Sequence, residues 1–245
     1  MGVLDLGFAG YQALLGKDLP DHVTVKSFVP GQEVGDGDVV HGTACAEIVH
    51  EMAPEAELFF AWYDGNSDTS FGQAVQWLLE QGVDIITNST SGIAGPMDGT
   101  GEDAQVVDDA YKRGVLWVNS AGNSAEEHYA GVFTDADGDG WHEFAPGQET
   151  MTIYPYSKAK GATVVLNWDD WQNRTEDYDL YLLDDNKNVV DSSRNPQVGI
   201  KRPVEWVVVP NDGFLYSIAI KAESTTRPAR FNPVSYTHLT LPTKA

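Results

Sequence analysis

The sequence predicts a parallel α/β fold followed by an antiparallel β module, and three observations carry that reading. Across the first half, apolar runs of strand length alternate with segments of helical spacing, joined by short connections. Strand–helix–strand order with short links demands parallel pairing with helices on both faces of the sheet. Beyond residue 147 the helical period vanishes and short strands are separated by polar turns, as in an antiparallel β-sandwich. The chain can also build such cores: 42% of its 245 residues are hydrophobic, enough for one large or two modest domains.

In chain order, Val3 and Leu4 close a short buried strand with Asp5 at its carboxyl end. That end of an open parallel sheet is where ligands and catalytic groups collect; a turn or cap aspartate is the plainer alternative. Residues 8–15 mix helical and loop character, and residues 22–28 alternate like a strand. Residues 31–38 form a turn-rich loop. Its Gly35-Asp36-Gly37 lacks the third glycine of a dinucleotide fingerprint, and its acids would repel a pyrophosphate. His41 opens an amphipathic helix in which Ala44, Cys45, Ile48, Val49 and Met52 recur at helical spacing and are expected to face inward. Residues 57–62 form a continuous apolar strand, 71–80 a helix closed by Gly82, and 83–87 a further buried strand. Residues 103–113 form a helix ended by Gly114, followed by a strand at 115–118.

Three motifs sit at strand and helix ends of this frame: Gly2-Val3-Leu4-Asp5-Leu6-Gly7, His41-Gly42-Thr43, and Asn119-Ser120-Ala121-Gly122-Asn123. Together they resemble the subtilisin-like serine peptidases, in which an Asp, a His and an oxyanion-hole Asn come in this order before a Ser. Their separations leave room for one and then two strand–helix units, as the subtilisin-like fold requires. The resemblance covers residues 1 to 130 and implies the family's three-layer fold over domain 1–146, left incomplete here. It implies that Asp5 orients His41, that His41 is the general base and that Asn123 donates to the oxyanion. It further implies that Ser91 and Gly92, in the segment Asn88-Ser89-Thr90-Ser91-Gly92, pair with an extended polypeptide substrate by strand addition. Ser120, Ala121 and Gly122 then form one wall of the primary specificity pocket. The related acid-type peptidases use Glu and Asp in place of His, so His41-Gly42-Thr43 speaks against them. The nucleophile is expected on a Gly-Thr-Ser motif, but Gly42-Thr43 and Gly99-Thr100 lead to Ala44 and Gly101. The chain is therefore expected to be an interior fragment of such a peptidase, inactive as given.

After Asn123, Asp135, Asp137 and Asp139 set oxygen ligands at alternate positions around Gly138, like the first half of a calcium loop. The twelfth position of an EF-hand falls on Pro146, which cannot chelate, so an EF-hand is rejected; a different calcium turn and an ion-free Asp/Gly turn stay open. Strands are expected at 151–154, 162–168, 178–183, 205–209 and 214–220, with 185–188 as a hairpin turn. Residues 147–232 are thus expected to be an inserted β-sandwich with its own core. Trp168-Asp169-Asp170-Trp171 and Asp177-Tyr178-Asp179-Leu180 resemble jelly-roll modules of secreted peptidases. Such acidic aromatic clusters either bind carbohydrate or calcium or plug a core. Residues 234–243 resemble the translation of a sequencing-library adapter, so 233–245 are excluded from fold reasoning.

The formal charge of -22, from 15 basic and 37 acidic residues, argues against a nucleic-acid partner, which needs clustered Lys and Arg. No apolar run reaches membrane-spanning length. Cys45 is the single cysteine, so no intrachain disulfide forms. The chain opens abruptly on a strand without a signal peptide, while the family resemblance implies a secreted or extracellular enzyme. The chemistry requires no cofactor; structural calcium is the one ion the sequence suggests. The alternative reading is a non-enzymatic calcium- or carbohydrate-binding protein of two domains.

Overall fold

The computed structural model describes residues 1–236 except 93, 97, 124–127, 154–161, 200 and 232–233, and for 234–236 the backbone alone. The chain forms two compact units: Met1–Gly92 with Met97–Gly122, and Ile93–Pro96 with Asn123–Ala245. Among the described residues no helix is long and apolar enough to cross a membrane.

The first unit is the predicted parallel α/β sheet. Strands β1 (Gly2–Asp5), β2 (Thr24–Ser27), β3 (Phe59–Trp62), β4 (Ile85–Asn88) and β5 (Leu116–Asn119) lie in the order β2-β3-β1-β4-β5. Strands β1 and β3 are buried along their whole length, because helices cover both faces. Helix α1 (His41–Met52) covers the face of Val3, Phe8 and Phe60; α2 (Asp68–Glu80) and α3 (Glu102–Lys112) cover that of Leu4, Ala61 and Ile86. Register pairs Asp5 with Trp62, Trp62 with Ser27, Leu4 with Asn88, and Asn88 with Asn119. The carboxyl ends of all five strands therefore share one edge of the sheet.

Helix α1 corrects the inward face expected from periodicity. Ala44 is exposed, Ile48 is 62% and Met52 81% exposed, and the buried positions are Gly42, Thr43 and Ala46, with Cys45 and Val49 half-buried. The seat of the helix is fixed by close backbone approach through its small residues, which an apolar stripe does not reveal. Gly42 N–H donates to the Gly7 carbonyl at 2.9 Å and Thr43 Oγ1 to the Ala9 carbonyl at 3.0 Å. Helix α2 starts three residues before the expected 71 because Ser67 caps it, accepting from Ser70 N–H at 3.2 Å.

The second unit holds β6 (Gly131–Val132), β7 (Met151–Ile153), β8 (Ala162–Asn167), β9 (Asp177–Leu183), β10 (Val189–Ser193), β11 (Val204–Val209), β12 (Tyr216–Ser224), β13 (Arg230–Phe231) and β14 (Val234–Tyr236). They form antiparallel sheets β10-β9-β12-β7 and β11-β8-β14 and the pair β13-β6. Alternation sorts each strand: in β11, Glu205, Val207 and Val209 are buried while Trp206 and Val208 are exposed. The inward residues of both larger sheets, with Trp168, Tyr178 and Phe231, make one core. The unit begins at Asn123, ahead of residue 147, because Phe133 and Phe144 pack on that core and β6 pairs with β13. Of the tail set aside as adapter sequence, Val234–Tyr236 pairs with Thr163–Val165 of β8; residues 237–245 lie outside the described residues.

His142 sits within this core at 0% exposure, ringed by Tyr129, Phe133, Phe144 and Phe231. Thr134 N–H donates to Nδ1 at 3.1 Å, which assigns the neutral ring's proton to Nε2, 3.1 Å from the Tyr129 hydroxyl. Burial pushes its pKa down from 6.5 to about 4. Below pH 6.5 the unfolded chain takes up a proton that the folded chain refuses until about pH 4, so this group's contribution is complete above 6.5 and is lost as the pH falls to 4. Between pH 7 and 4 the second unit should therefore lose about 3 kcal/mol more in the wild type than in His142→Gln. Urea denaturation at the two pH values measures the difference; parallel losses would remove His142 as the cause.

Candidate active site

The site starts from a buried charge. Asp5, 1% exposed at the end of β1, has two satisfied oxygens: Leu6 N–H donates to Oδ1 at 2.8 Å, and Oδ2 lies 2.8 Å from His41 Nδ1. Burial raises the Asp5 pKa, and the hydrogen bonds from His41 and Leu6 oppose it. In the neutral ring this bond places the proton on Nδ1 and leaves Nε2 as the basic nitrogen. The His41 side chain is 53% exposed, so one ring edge is fixed by the protein while much of the ring meets solvent.

Two glycines make this approach possible. A Cβ on Gly42 would lie 2.6 Å from the Gly7 carbonyl oxygen, 2.7 Å from Phe8 Cε1 and 2.8 Å from Asp5 Cβ. One on Gly7 would lie 2.6 Å from Val39 Cβ, on the segment that leads into α1. The same turn is tied to that segment by Ala9 N–H, which donates to the Val39 carbonyl at 2.9 Å. The mouth of α1 is thereby pressed onto the end of β1, which delivers His41 to Asp5.

The exits of β4 and β5 run side by side at the same sheet edge. Buried Asn88 accepts from Thr90 N–H at 3.0 Å and from Thr90 Oγ1 at 2.5 Å; Thr90 Oγ1 also lies 2.6 Å from the Tyr63 hydroxyl. Ser120 N–H donates to the Asn88 carbonyl at 3.1 Å, and Asn119 Nδ2 to the Thr90 carbonyl at 3.3 Å. This web holds the exposed residues Ser91, Gly92, Ser120, Ala121 and Gly122. Ser91 and Gly92 lie outside any strand, and Ser91 Oγ is 3.2 Å from where a Cβ of Gly122 would stand. Asn123, the first residue of the second unit's long segment, is exposed in the bend after Gly122. Asn88, Thr90 and Tyr63 escaped sequence reading as supports, because only the fold brings Tyr63 beside the β4 exit.

Asp135, Asp137 and Asp139 carry oxygens within 4.8 Å of one another, as ion ligation requires. The turn is also complete without an ion: Asp135 accepts from the backbone of Gly138, Asp139 and Gly140, and Asp139 from that of Trp141. Burial pushes the Asp135 carboxyl up, but the hydrogen bonds from Gly140, Gly138, Asp139 and the Asp137 side chain together outweigh it and hold the group below its ordinary range.

A carboxylate-oriented imidazole with one ring nitrogen toward solvent is an arrangement that can accept and return a proton. The chain belongs to the subtilase family, peptidase S8, whose sequence profile matches residues 2–227. No curated protein matches the chain. Among solved structures it is similar to the prenylagaramide maturation protease PagA, at 17% identity and a TM-score of 0.35, over 50% of this chain and 46% of that one. It thus spans less than half of that protease. The Yersinia pseudotuberculosis-derived mitogen is matched at 13% identity and a TM-score of 0.27, over 48% of this chain and 87% of that one. The family assignment rests on the profile.

Gly42→Ala should destabilise the first unit by about 1–3 kcal/mol, since the new methyl meets backbone and buried atoms. It should also part the Asp5–His41 pair, read by NMR as loss of the downfield Nδ1 proton. An unchanged proton signal in a stable variant would contradict the close-approach argument.

Proposed function

We propose that this chain carries the base side of a subtilisin-type serine endopeptidase site, and the 2.8 Å bond between Asp5 and His41 at the sheet edge is the observation that supports it most. His41 Nε2 takes the proton of the attacking serine hydroxyl and later returns it to the leaving amine. Asp5 holds the ring in the required tautomer and stabilises the imidazolium. Asn123 donates its amide to the oxyanion, an interaction worth roughly 2.7–4 kcal/mol in the transition state. Ser91 and Gly92 hydrogen-bond the substrate backbone, and Ser120, Ala121 and Gly122 wall the pocket for the residue before the scissile bond. The exposure of these five residues and the approach of Ser91 to Gly122 support a peptide lying along the two loops.

The substrate is a polypeptide, the compartment extracellular, and the chemistry uses no cofactor. In this reading residues 147–232 are an inserted β-sandwich, which the shared core of the two antiparallel sheets supports. The nucleophile belongs to a Gly-Thr-Ser segment that this sequence does not contain. A base without its nucleophile loses nearly the whole rate enhancement, because the two act as a unit.

The purified chain should show no labelling by a serine-directed fluorophosphonate and no casein turnover. A version completed with a subtilase segment that carries Gly-Thr-Ser should show both, and Asp5→Asn in that version should lower kcat roughly 10⁴-fold. Stoichiometric labelling of the present chain, abolished by His41→Ala, would overturn the assignment of the nucleophile.

A further inference from the structure

The second unit carries a cleft that peptide hydrolysis does not use. It measures about 770 Å³, within the range of small-molecule sites, and lies on the outward face of the β10-β9-β12-β7 sheet. Alternation along β9 sends Tyr178, Leu180 and Leu182 into the core and leaves Asp177, Asp179 and Tyr181 on the opposite side. At about 3.3 Å per residue these three make a row roughly 13 Å long. Residues 194–196, which follow β10, stand on one flank of the row. On the other flank β12 sets Lys221 opposite Asp179, with Glu223 beyond it. We infer that this cleft binds a neutral oligosaccharide, whose hydroxyls are held by the Asp177 and Asp179 carboxylates below and by Arg194, Asn195 and Lys221 at the sides.

The cleft is short of hydrogen-bond partners in a way the rest of the unit is not. Asp179 is only 5% exposed, yet one of its oxygens alone is answered: the Tyr181 hydroxyl donates to Oδ2 at 3.0 Å, and among the described residues nothing donates to Oδ1. Its cross-strand neighbour Lys221 turns away to Glu223, at 2.7 Å. Asp177 receives one long bond, from Gln197 N–H at 3.4 Å, and no described residue pairs with Arg194. By contrast, buried Glu176 and Glu205 each accept from several donors in their own loops. Burial pushes the Asp179 carboxyl up to about 6, helped by the charges of Glu223, Asp177 and Glu205 and opposed by the Tyr181 bond. A nearly buried carboxylate oxygen without a donor costs free energy, and a ligand hydroxyl removes that cost.

The same residues select the ligand class. A bare metal ion does not fit, because no three acids of the cleft bring oxygens within 4.8 Å of one another; among the described residues such groups lie elsewhere. Asp177 and Asp179 on the floor repel a phosphate or a uronate, while Arg194 and Lys221 on the flanks repel an organic cation. Tyr181 and Pro196 are the only apolar surfaces in the lining, too few to make a pocket for an apolar peptide side chain. A neutral polyol meets every group. Its hydroxyls donate to the carboxylates, its oxygens accept from Arg194, Asn195 and Lys221, and the C–H side of a sugar ring covers the Tyr181 ring. Trp141 holds that ring in place, edge to face at 5.1 Å. Every residue of the cleft belongs to the second unit, so the inference does not rest on the peptidase reading.

Amide NMR of the full chain tests the cleft, with maltotriose, cellotriose, xylotriose and mannotriose as the titrants. At least one of them should shift the Asp177, Asp179, Tyr181 and Asn195 amides saturably. Arg194→Ala and Asp179→Asn should each weaken that binding roughly fivefold or more, since each removes a charge-assisted hydrogen bond. The fold already disfavours the Asp179 charge, so Asp179→Asn should not lower the melting temperature at pH 7. Weakened binding in a variant that stays equally stable separates a ligand contact from a structural one. Four results would each overturn the inference: no saturable shift with any of the four sugars, binding undiminished in both variants, a lower melting temperature for Asp179→Asn, or tighter binding of calcium chloride, inorganic phosphate or trilysine at the same amides. Peptidase activity enters none of these readouts, so either assignment can fail without the other.

Discussion

The first unit depends on a carboxylate that has been taken out of water. Burying a charge costs several kcal/mol unless hydrogen bonds and an opposite charge replace its hydration. Asp5 can stay where it is only because Leu6 N–H meets one oxygen and His41 the other. That requirement places the start of α1 against the end of β1, which in turn demands glycine at 7 and 42. The parallel register does the rest, bringing the β4 and β5 exits to the edge where Asp5 stands.

The second unit meets the same requirement differently. Its buried acids are answered by their own loops: Asp170 by the backbone of Thr175 and Glu176, and Glu176 by Thr226 and the Arg227 backbone. Glu205 is answered by Ser193, Asn195 and Gln197. Trp168 is buried in the core against Tyr178, so it works as a plug and not as an exposed sugar platform. Part of the acidity that looks like ligand chemistry in the sequence is therefore spent inside the fold, tying loops to strands.

Sequence reading succeeded where a local signal and the tertiary structure agree. Short apolar runs separated by helical segments yielded the parallel sheet, and Asp5 and His41 stood out because each closes or opens an element. It failed where the deciding contact is distant. Periodicity marked Ile48 and Met52 as inward, but α1 is seated by its small residues. Val189–Ser193 offers only two apolar residues, too few to mark a strand, and it becomes one by pairing with β9. The strands at 162–168, 178–183 and 205–209 were legible within a residue, since alternation over a shared core is a local property. Phe133 and Phe144 reach the second core only through the fold, so no local signal in the sequence ties them to it.

The empty space at Gly42 bears on how tolerance to substitution would be interpreted. Its backbone touches Gly7, Phe8 and Asp5 so closely that any side chain displaces one of them. In a saturation-mutagenesis map read by folding, this position would be intolerant although glycine brings no side chain of its own. Intolerance alone would mark it as a contact residue, whereas what it supplies is a gap, and no additive can restore a missing gap.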